Sequence, residues 1–365
     1  MVEALSLVGN ASSVHAEGRT ARRLVEEARV QVAALVGAEP KDVTFTSGAT
    51  EANMLALTPA LESADEKSPR DRLFVSAVEH PSVRCGGRFA AGAVTELAVD
   101  TSGVVDCTTL EQSLSPAVRP LVSVMLANNE TGVIQPIPAI AEIVHRVGGL
   151  LHVDAVQAPG RIACDMEVLG ADLMSLSAHK LGGPQGVGAL IRRSDIDIVD
   201  PLIRGGGQER SQRAGTENVA AIAGFGAAAA AVLAAGQAGI CRMAMLRDRL
   251  ETCLKAAMPE AIVFGEDAER LPNTTLFTVP GLKAETAIIA FDLNGIALSS
   301  GSACSSGKVQ PSHVLAAMGV APDLARGALR VSLGWRTAEA DVERFLGTWI
   351  MLAGSLVKEK RELAA

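Results

Sequence analysis

The sequence contains no tyrosine, and aromatic residues make up only 3% of its 365 positions. Any cofactor ring or bound base must then be stacked by another side chain, for which histidine is the natural substitute. Positive charge is also scarce. Lys and Arg number 33 against 41 Asp and Glu, a net charge of −8, and there is no basic stripe or aromatic platform, which argues against a nucleic-acid partner. The six cysteines (Cys85, Cys107, Cys164, Cys241, Cys253 and Cys304) include no CxxC pair and no zinc spacing. That pattern speaks for a reducing compartment, against a disulfide framework and against a resident metal. Met1-Val2-Glu3-Ala4 opens without a basic region or a long apolar run, so no secretory signal is expected and a cytoplasmic location is. Charge is missing between Glu217 and Arg242, and Ala227 to Ala231 are consecutive alanines. The stretch is long enough for a bilayer, but alanine and glycine transfer weakly into lipid. A buried helix of a non-membrane protein is the expectation.

A chain of this length exceeds one ordinary core. We expect two domains, residues 1–238 holding a cofactor and residues 239–365 forming a smaller α+β unit, with the change near Gly239. Apolar runs alternate with helical patterns. Strands are expected at 43–46, 73–77, 95–99, 121–127, 150–155, 173–177 and 187–191, with helices such as 19–36 and 137–147. Alternation of this kind predicts an α/β fold with a mainly parallel seven-stranded sheet and ligands at the strands' carboxyl ends. Shorter strands are expected at 273–279, 296–299 and 328–332. The polar chemistry falls after strands: Thr50, His80, Asn129, Asp154 and Lys180.

Lys180 closes the run Leu176-Ser177-Ala178-His179-Lys180, and glycines follow at once. A lysine at the mouth of a sheet suits a covalent bond to an aldehyde cofactor, with Ser177 and His179 beside a phosphate. Asp154 upstream strengthens this, because pyridoxal phosphate enzymes pair a carboxylate with the pyridine nitrogen. The plain alternative is a surface lysine after a buried strand. Thr46-Ser47-Gly48-Ala49-Thr50-Glu51 is either an anion-binding helix start or an ordinary Ser/Thr-capped one. His80 could stack on a ring and shuttle protons, or be structural. Asn128-Asn129-Glu130 is a polar cluster or simply a turn. The loop Gly205-Gly206-Gly207-Gln208-Glu209-Arg210 with Arg213 and Thr216 suits an anion. Cys304 lies in a run of Ser, Gly and Ala from Ser299 to Gly307, a polar loop where a thiol reads as a reactive nucleophile rather than a core filler. The other five cysteines lack such a setting and read as inert. Arg330 puts a charge inside an apolar strand, for a substrate carboxylate or for an internal salt bridge.

Together these segments resemble the cysteine desulfurases of the NifS/IscS type, in the class V aminotransferase family of fold-type I pyridoxal phosphate enzymes. The resemblance runs from Gly9-Asn10-Ala11-Ser12-Ser13 to the C-terminal helices, and the loop around Cys304 resembles the long-loop branch. It implies pyridoxal 5′-phosphate as cofactor and Lys180, Cys304 and His80 as catalytic residues. By the same resemblance Ala49, Thr50, Ser177 and His179 hold the phosphate, Asp154 the pyridine nitrogen and Gln157 the ring hydroxyl. His80 stacks on the ring, Asn129 borders the cofactor, and Asn129 and Arg330 hold the substrate carboxylate. Thr216 would reach the phosphate of a neighbouring subunit in a homodimer. L-cysteine would yield L-alanine and a persulfide on Cys304 for a sulfur acceptor such as an iron–sulfur scaffold, with Cys304 at most a ligand to a transient cluster. Alternatives are selenocysteine lyase or cysteine sulfinate desulfinase activity, or an inactive relative acting as a binding partner. In the family, a strand and an Asp-x-x-Ala-Thr-Thr-Pro-like segment precede the Gly9 motif, and a proline stands where this chain has Ala11.

Overall fold

The computed structural model describes residues 1–64, 66–301 and 312–358. The chain divides into two compact units: Met1–Ala98, Val105–Leu126 and Gln135–Gly236 in the first, and Val99–Val104, Ala127–Ile134 and Gln237–Ala365 in the second. Two short segments that the sequence reading placed within residues 1–238 thus pack with the second unit. Backbone bonds hold Ala127–Ile134 there: Leu271 N–H donates to Gly132 O and Ile134 N–H to Glu269 O, both at 2.8 Å.

The first unit is built on seven strands, β1 (Val43–Thr46), β2 (Arg72–Ser76), β3 (Val94–Leu97), β4 (Pro120–Met125), β5 (Leu150–Asp154), β6 (Leu173–Ser177) and β7 (Gly188–Arg192). Their spatial order is β1-β7-β6-β5-β4-β2-β3. The pairs from β3 through β2, β4 and β5 to β6 are parallel, while β7 runs antiparallel to both its neighbours. Strands β4, β5 and β6 are buried along their whole length, as a parallel sheet covered on both faces requires. One polar row crosses this core. His152 Nδ1 lies 2.8 Å from Ser123 Oγ and Nε2 lies 2.9 Å from Ser175 Oγ. Burial pushes the His152 imidazole down to about 3, so the ring is neutral and both its nitrogens are satisfied.

Helix α1 (Ala16–Leu35) starts on His15, whose ring accepts the Gly18 N–H. Its buried Ala21, Val25, Ala28 and Val32 recur every three or four residues, the stripe that one packed helix face needs. Helix α2 (Ala49–Ala56) follows β1, and α3 (Ile137–Arg146) lies between β4 and β5. Helix α4 (Val219–Ala257) runs 39 residues with a break at Gly236 (φ 54°, ψ −156°), a conformation open to glycine because it has no Cβ. Gly236 is also the last residue of the first unit, slightly before the expected change near Gly239. By length and composition α4 could cross a membrane, with 39% of its most apolar stretch buried. The expectation of a buried helix is therefore corrected: one face packs, through Ala221, Ile222 and Phe225, and alanine carries so little apolar surface that exposing the rest costs little.

In the second unit, strands β8 (Ile262–Val263), β9 (Thr274–Thr278), β10 (Ser299–Ser300) and β11 (Leu329–Ser332) form an antiparallel sheet in the order β8-β9-β11-β10. Helix α5 (Glu339–Lys358) supplies Phe345 and Trp349 to its core. Phe277 meets Trp349 edge-on at 5.3 Å, and Phe291 stacks on Phe345 at 5.2 Å. Much of the chain's small aromatic complement is thus spent in one core, each such side chain contributing about 1.5–3 kcal/mol.

Candidate active site

The carboxyl ends of the first unit's strands gather most of the residues singled out above. Helix α2 begins directly after β1, and its N-cap is Gly48, with no side-chain cap. This corrects the alternative of a Ser/Thr-capped start: the Ser47 N–H is instead taken by Glu51 Oε2 at 2.8 Å. A Cβ on Gly48 would meet nothing within 4 Å, whereas one on Gly188 of β7 would strike the Gly48 carbonyl carbon at 2.6 Å. The two glycines therefore allow close backbone approach on one side and leave open space on the other. Half-buried Ala49 and exposed Thr50 occupy the first turn, whose N–H groups and dipole favour an anion.

After β6, Ser177 Oγ lies 2.9 Å from His179 Nδ1. Residues Ala178–Leu181 turn in a short 3₁₀ helix that ends at left-handed Gly182, and Lys180 is half-buried. Arg161, which sequence reasoning missed, ties this turn to Gln157: one guanidinium N–H donates to Lys180 O at 2.8 Å and another to Gln157 O at 2.6 Å.

Asp154 ends β5 and is buried. Its Oδ1 accepts the Val156 N–H at 3.1 Å, and its Oδ2 accepts from Asn53 Nδ2 at 2.9 Å. Burial pushes its carboxyl up, while Asn53, Val156, His80 and Lys180 pull it back. His80 is the N-cap of the short helix Pro81–Arg84. Burial lowers its pKa, the nearby Asp154 raises it and Lys180 lowers it. Asp154, His80 and Lys180 therefore share one electrostatic site. A desolvated carboxylate of this kind is matched by a cation held against it.

Sequence reasoning also missed Asn53 and Ser82, which link Asp154 to His80, and Glu79. The Glu79 carboxyl is fully buried and accepts the Ser76 hydroxyl and the Met125 N–H, both at 2.6 Å. Met125 is the partner of Asp154 in the β4–β5 register. Burial, with Asp154 adding to it, pushes Glu79 up to about 8. Its only signal in the sequence is an acid immediately before His80.

The Gly205–Asn218 loop is corrected in one respect. Its arginines are engaged within the protein rather than presented to an anion: Arg213 Nε donates to Glu51 at 2.9 Å and Arg210 to Lys41 O at 2.5 Å. Glu209 is buried against Arg29 in a two-point ion pair of 2.7 and 2.9 Å, and also accepts the Phe45 N–H at 2.8 Å. Thr216 is exposed and lines a cleft of about 200 Å³ with Thr46, Ser47 and Gly186.

Asn129 and Arg330 belong to the second unit, where the fold brings them together. Asn128 Oδ1 accepts the N–H groups of Glu130 and Thr131, both at 2.9 Å, which makes the expected turn. Arg330 on β11 donates to Asn129 O at 2.7 Å, and its Nε is buried without a partner among the described residues. Glu130 accepts the Ser312 hydroxyl at 2.5 Å, and burial pushes it up to about 7. Cys304 lies outside the described residues. Of the other cysteines, Cys164 is buried and pushed up to about 12 by that burial, while Cys85 and Cys241 are exposed.

Residues 3–345 match the aminotransferase class-V family. The chain belongs to this family, in its cysteine desulfurase group. It is 44% identical over 343 residues to a cysteine desulfurase of Cereibacter sphaeroides, covering 93% of this chain and 87% of that one. It is 41% identical over 365 residues to an IscS-like cysteine desulfurase of Mycobacterium tuberculosis (strain ATCC 25618 / H37Rv), covering 98% and 92%. Among solved structures, the NifS-like protein of Rickettsia africae ESF-5 superposes with a TM-score of 0.86 at 37% identity, covering 97% of this chain and 94% of that one. The desulfurase fold and the residues at its strand ends are thus found in one chain.

Proposed function

We propose that the protein is a pyridoxal-phosphate-dependent cysteine desulfurase that converts L-cysteine to L-alanine and passes the sulfur on from Cys304. The observation that carries this reading is the shared site of Asp154, His80 and Lys180 at the carboxyl end of the sheet. The residues fit the cofactor. Buried Asp154 offers an anionic partner for a protonated pyridine nitrogen, and the uncapped start of α2 beside Gly48 leaves room and N–H groups for a phosphate. When bound, pyridoxal phosphate draws electron density from the α-carbon of an amino acid.

The chain's own residues supply the rest. Lys180 anchors the cofactor and, once displaced by substrate, its amine takes the α-proton. His80 stacks on the ring, Gln157 faces the ring hydroxyl, and Ala49, Thr50, Ser177 and His179 hold the phosphate. Thr216 reaches the phosphate of a second copy, so the active form is a homodimer. Arg330, supported by Asn129, binds the substrate carboxylate in the two-point geometry that suits guanidinium. The Cys304 thiolate attacks the substrate sulfur: a sulfur–sulfur bond forms, the substrate carbon–sulfur bond breaks, and L-alanine leaves with a proton replacing sulfur at that carbon. The persulfide on Cys304 is then handed to an acceptor protein, an iron–sulfur scaffold being one such class.

The test is alanine and sulfide release from L-cysteine with a thiol reductant, comparing the wild type with Cys304→Ala and Lys180→Ala. Equal amounts of both products from the wild type and almost none from either variant are expected. Full release by Cys304→Ala would sink the persulfide step. Faster turnover of selenocysteine or cysteine sulfinate, independent of Cys304, would favour those substrates instead.

A further inference from the structure

Asn53 stands on α2 three residues after Thr50 and is fully buried. Asp154 Oδ2, 2.9 Å away, is an acceptor, so the amide atom facing it is Nδ2 and one Nδ2 hydrogen is spent there. The other goes to Ser82 Oγ, also at 2.9 Å. The Ser82 hydroxyl, which accepts from Asn53, lies 2.8 Å from His80 Nδ1. The Ser82 backbone N–H points at the same ring nitrogen from 3.2 Å. A backbone N–H can only donate, so Nδ1 offers it a lone pair, the Ser82 hydroxyl then donates to Nδ1 as well, and the proton of a neutral imidazole sits on Nε2.

We propose that Asn53 and Ser82 are positioning residues that lock His80 as the Nε2–H tautomer and tie it to the Asp154 carboxylate through one directed chain of hydrogen bonds. The chain runs outward from Asn53: one amide hydrogen to Asp154, the other through the Ser82 hydroxyl to His80. The resting histidine is therefore a proton donor at the nitrogen opposite Ser82 and takes a proton there only after giving one. Burial lowers the affinity of the ring for a second proton, which keeps this single tautomer in place near neutral pH. Asp154 and His80 are set by the same amide, so the partner of a cofactor's ring nitrogen and the group stacked on its ring cannot shift independently. That consequence rests on the function proposed above; the tautomer itself does not.

The experiment is a long-range proton–nitrogen correlation spectrum of the ¹⁵N-histidine-labelled protein, with His80 assigned by the difference from His80→Asn. The expected spectrum shows Nδ1 unprotonated and Nε2 protonated. Ser82→Ala and Asn53→Ala should blur that signature into a tautomer mixture, and Ser82→Thr, which keeps the hydroxyl, should restore it. Turnover of L-cysteine should fall by about tenfold to a hundredfold in kcat with little change in KM for the two alanine variants, and recover in Ser82→Thr. A protonated Nδ1 in the wild type, or a tautomer signature unmoved in both alanine variants, would overturn the proposal. Absence of any desulfurase activity in the wild type would count against the function alone, since the spectrum is read without turnover.

Discussion

Arg29 and Glu209 are 180 residues apart, and their side chains are 5% and 3% exposed. The guanidinium makes two bonds to the carboxylate, a third to Val43 O at 2.8 Å, and lies 4.9 Å from the centre of the Phe45 ring. Removing the cation by Arg29→Met leaves the Glu209 carboxylate buried with, among the described residues, the Phe45 N–H as its remaining donor. Breaking a buried, hydrogen-bonded pair in this way costs about 3–5 kcal/mol. The pair also restrains a strained turn. Glu209, Arg210 and Ser211 all have positive φ, at 45°, 54° and 67°, and non-glycine residues held in this region cost about 1–3 kcal/mol each. Arg29→Met should therefore lower the unfolding free energy of the first unit by several kcal/mol, Arg29→Met with Glu209→Met should recover most of that loss, and Arg210→Gly should be neutral or stabilising. Circular dichroism and amide exchange of α1 and β1 are the measurements to make, because both tryptophans, Trp335 and Trp349, lie in the second unit and tryptophan fluorescence would not follow the first. A single-substitution cost below about 1 kcal/mol, or a double variant whose loss equals the sum of the two singles, would refute the reasoning.

Two further outcomes are expected. Glu79 is held at about 8 in the folded chain against a usual 4.5, so the native state binds its proton more tightly than the unfolded chain does. The stability this contributes is fully present below the unfolded value and is lost as pH rises through the folded one, a total on the order of 5 kcal/mol. The stability difference between wild type and Glu79→Gln should therefore drift against the wild type between those two pH values; a constant difference in urea titrations across the range would contradict it. Arg330→Lys keeps the charge but loses the planar fork, and should lower kcat/KM for L-cysteine by about tenfold to a hundredfold, while an unchanged kcat/KM would remove Arg330 from substrate binding.

The large sheet was legible because its central strands are buried along their whole length and read as short apolar runs between helical periods. β1 and β6 have the expected limits, and the other five strands lie within one or two residues of theirs. The polar residues at their ends were legible for the same reason: Asp154, Lys180 and His80 stand where apolar runs stop, and the fold sets them in one electrostatic site. Asn53 was not legible, since a polar residue within a helix has no meaning until the fold sets it 2.9 Å from a carboxylate 101 positions away. Arg213 and Arg210 misled because free guanidinium groups in a glycine-rich loop look like an anion site until their partners on Glu51 and Lys41 are seen.

The sequence by itself determined the fold class, the strands to within a residue or two and which polar side chains stand at their ends, because periodicity and local composition are properties of neighbours along the chain. Tertiary structure alone decided which polar groups meet: Asn53 with Asp154, Arg29 with Glu209, and Ala127–Ile134 with the second unit rather than the first. A hydrogen bond or ion pair depends on ångström-scale separation in space, and sequence distance carries almost no information about that.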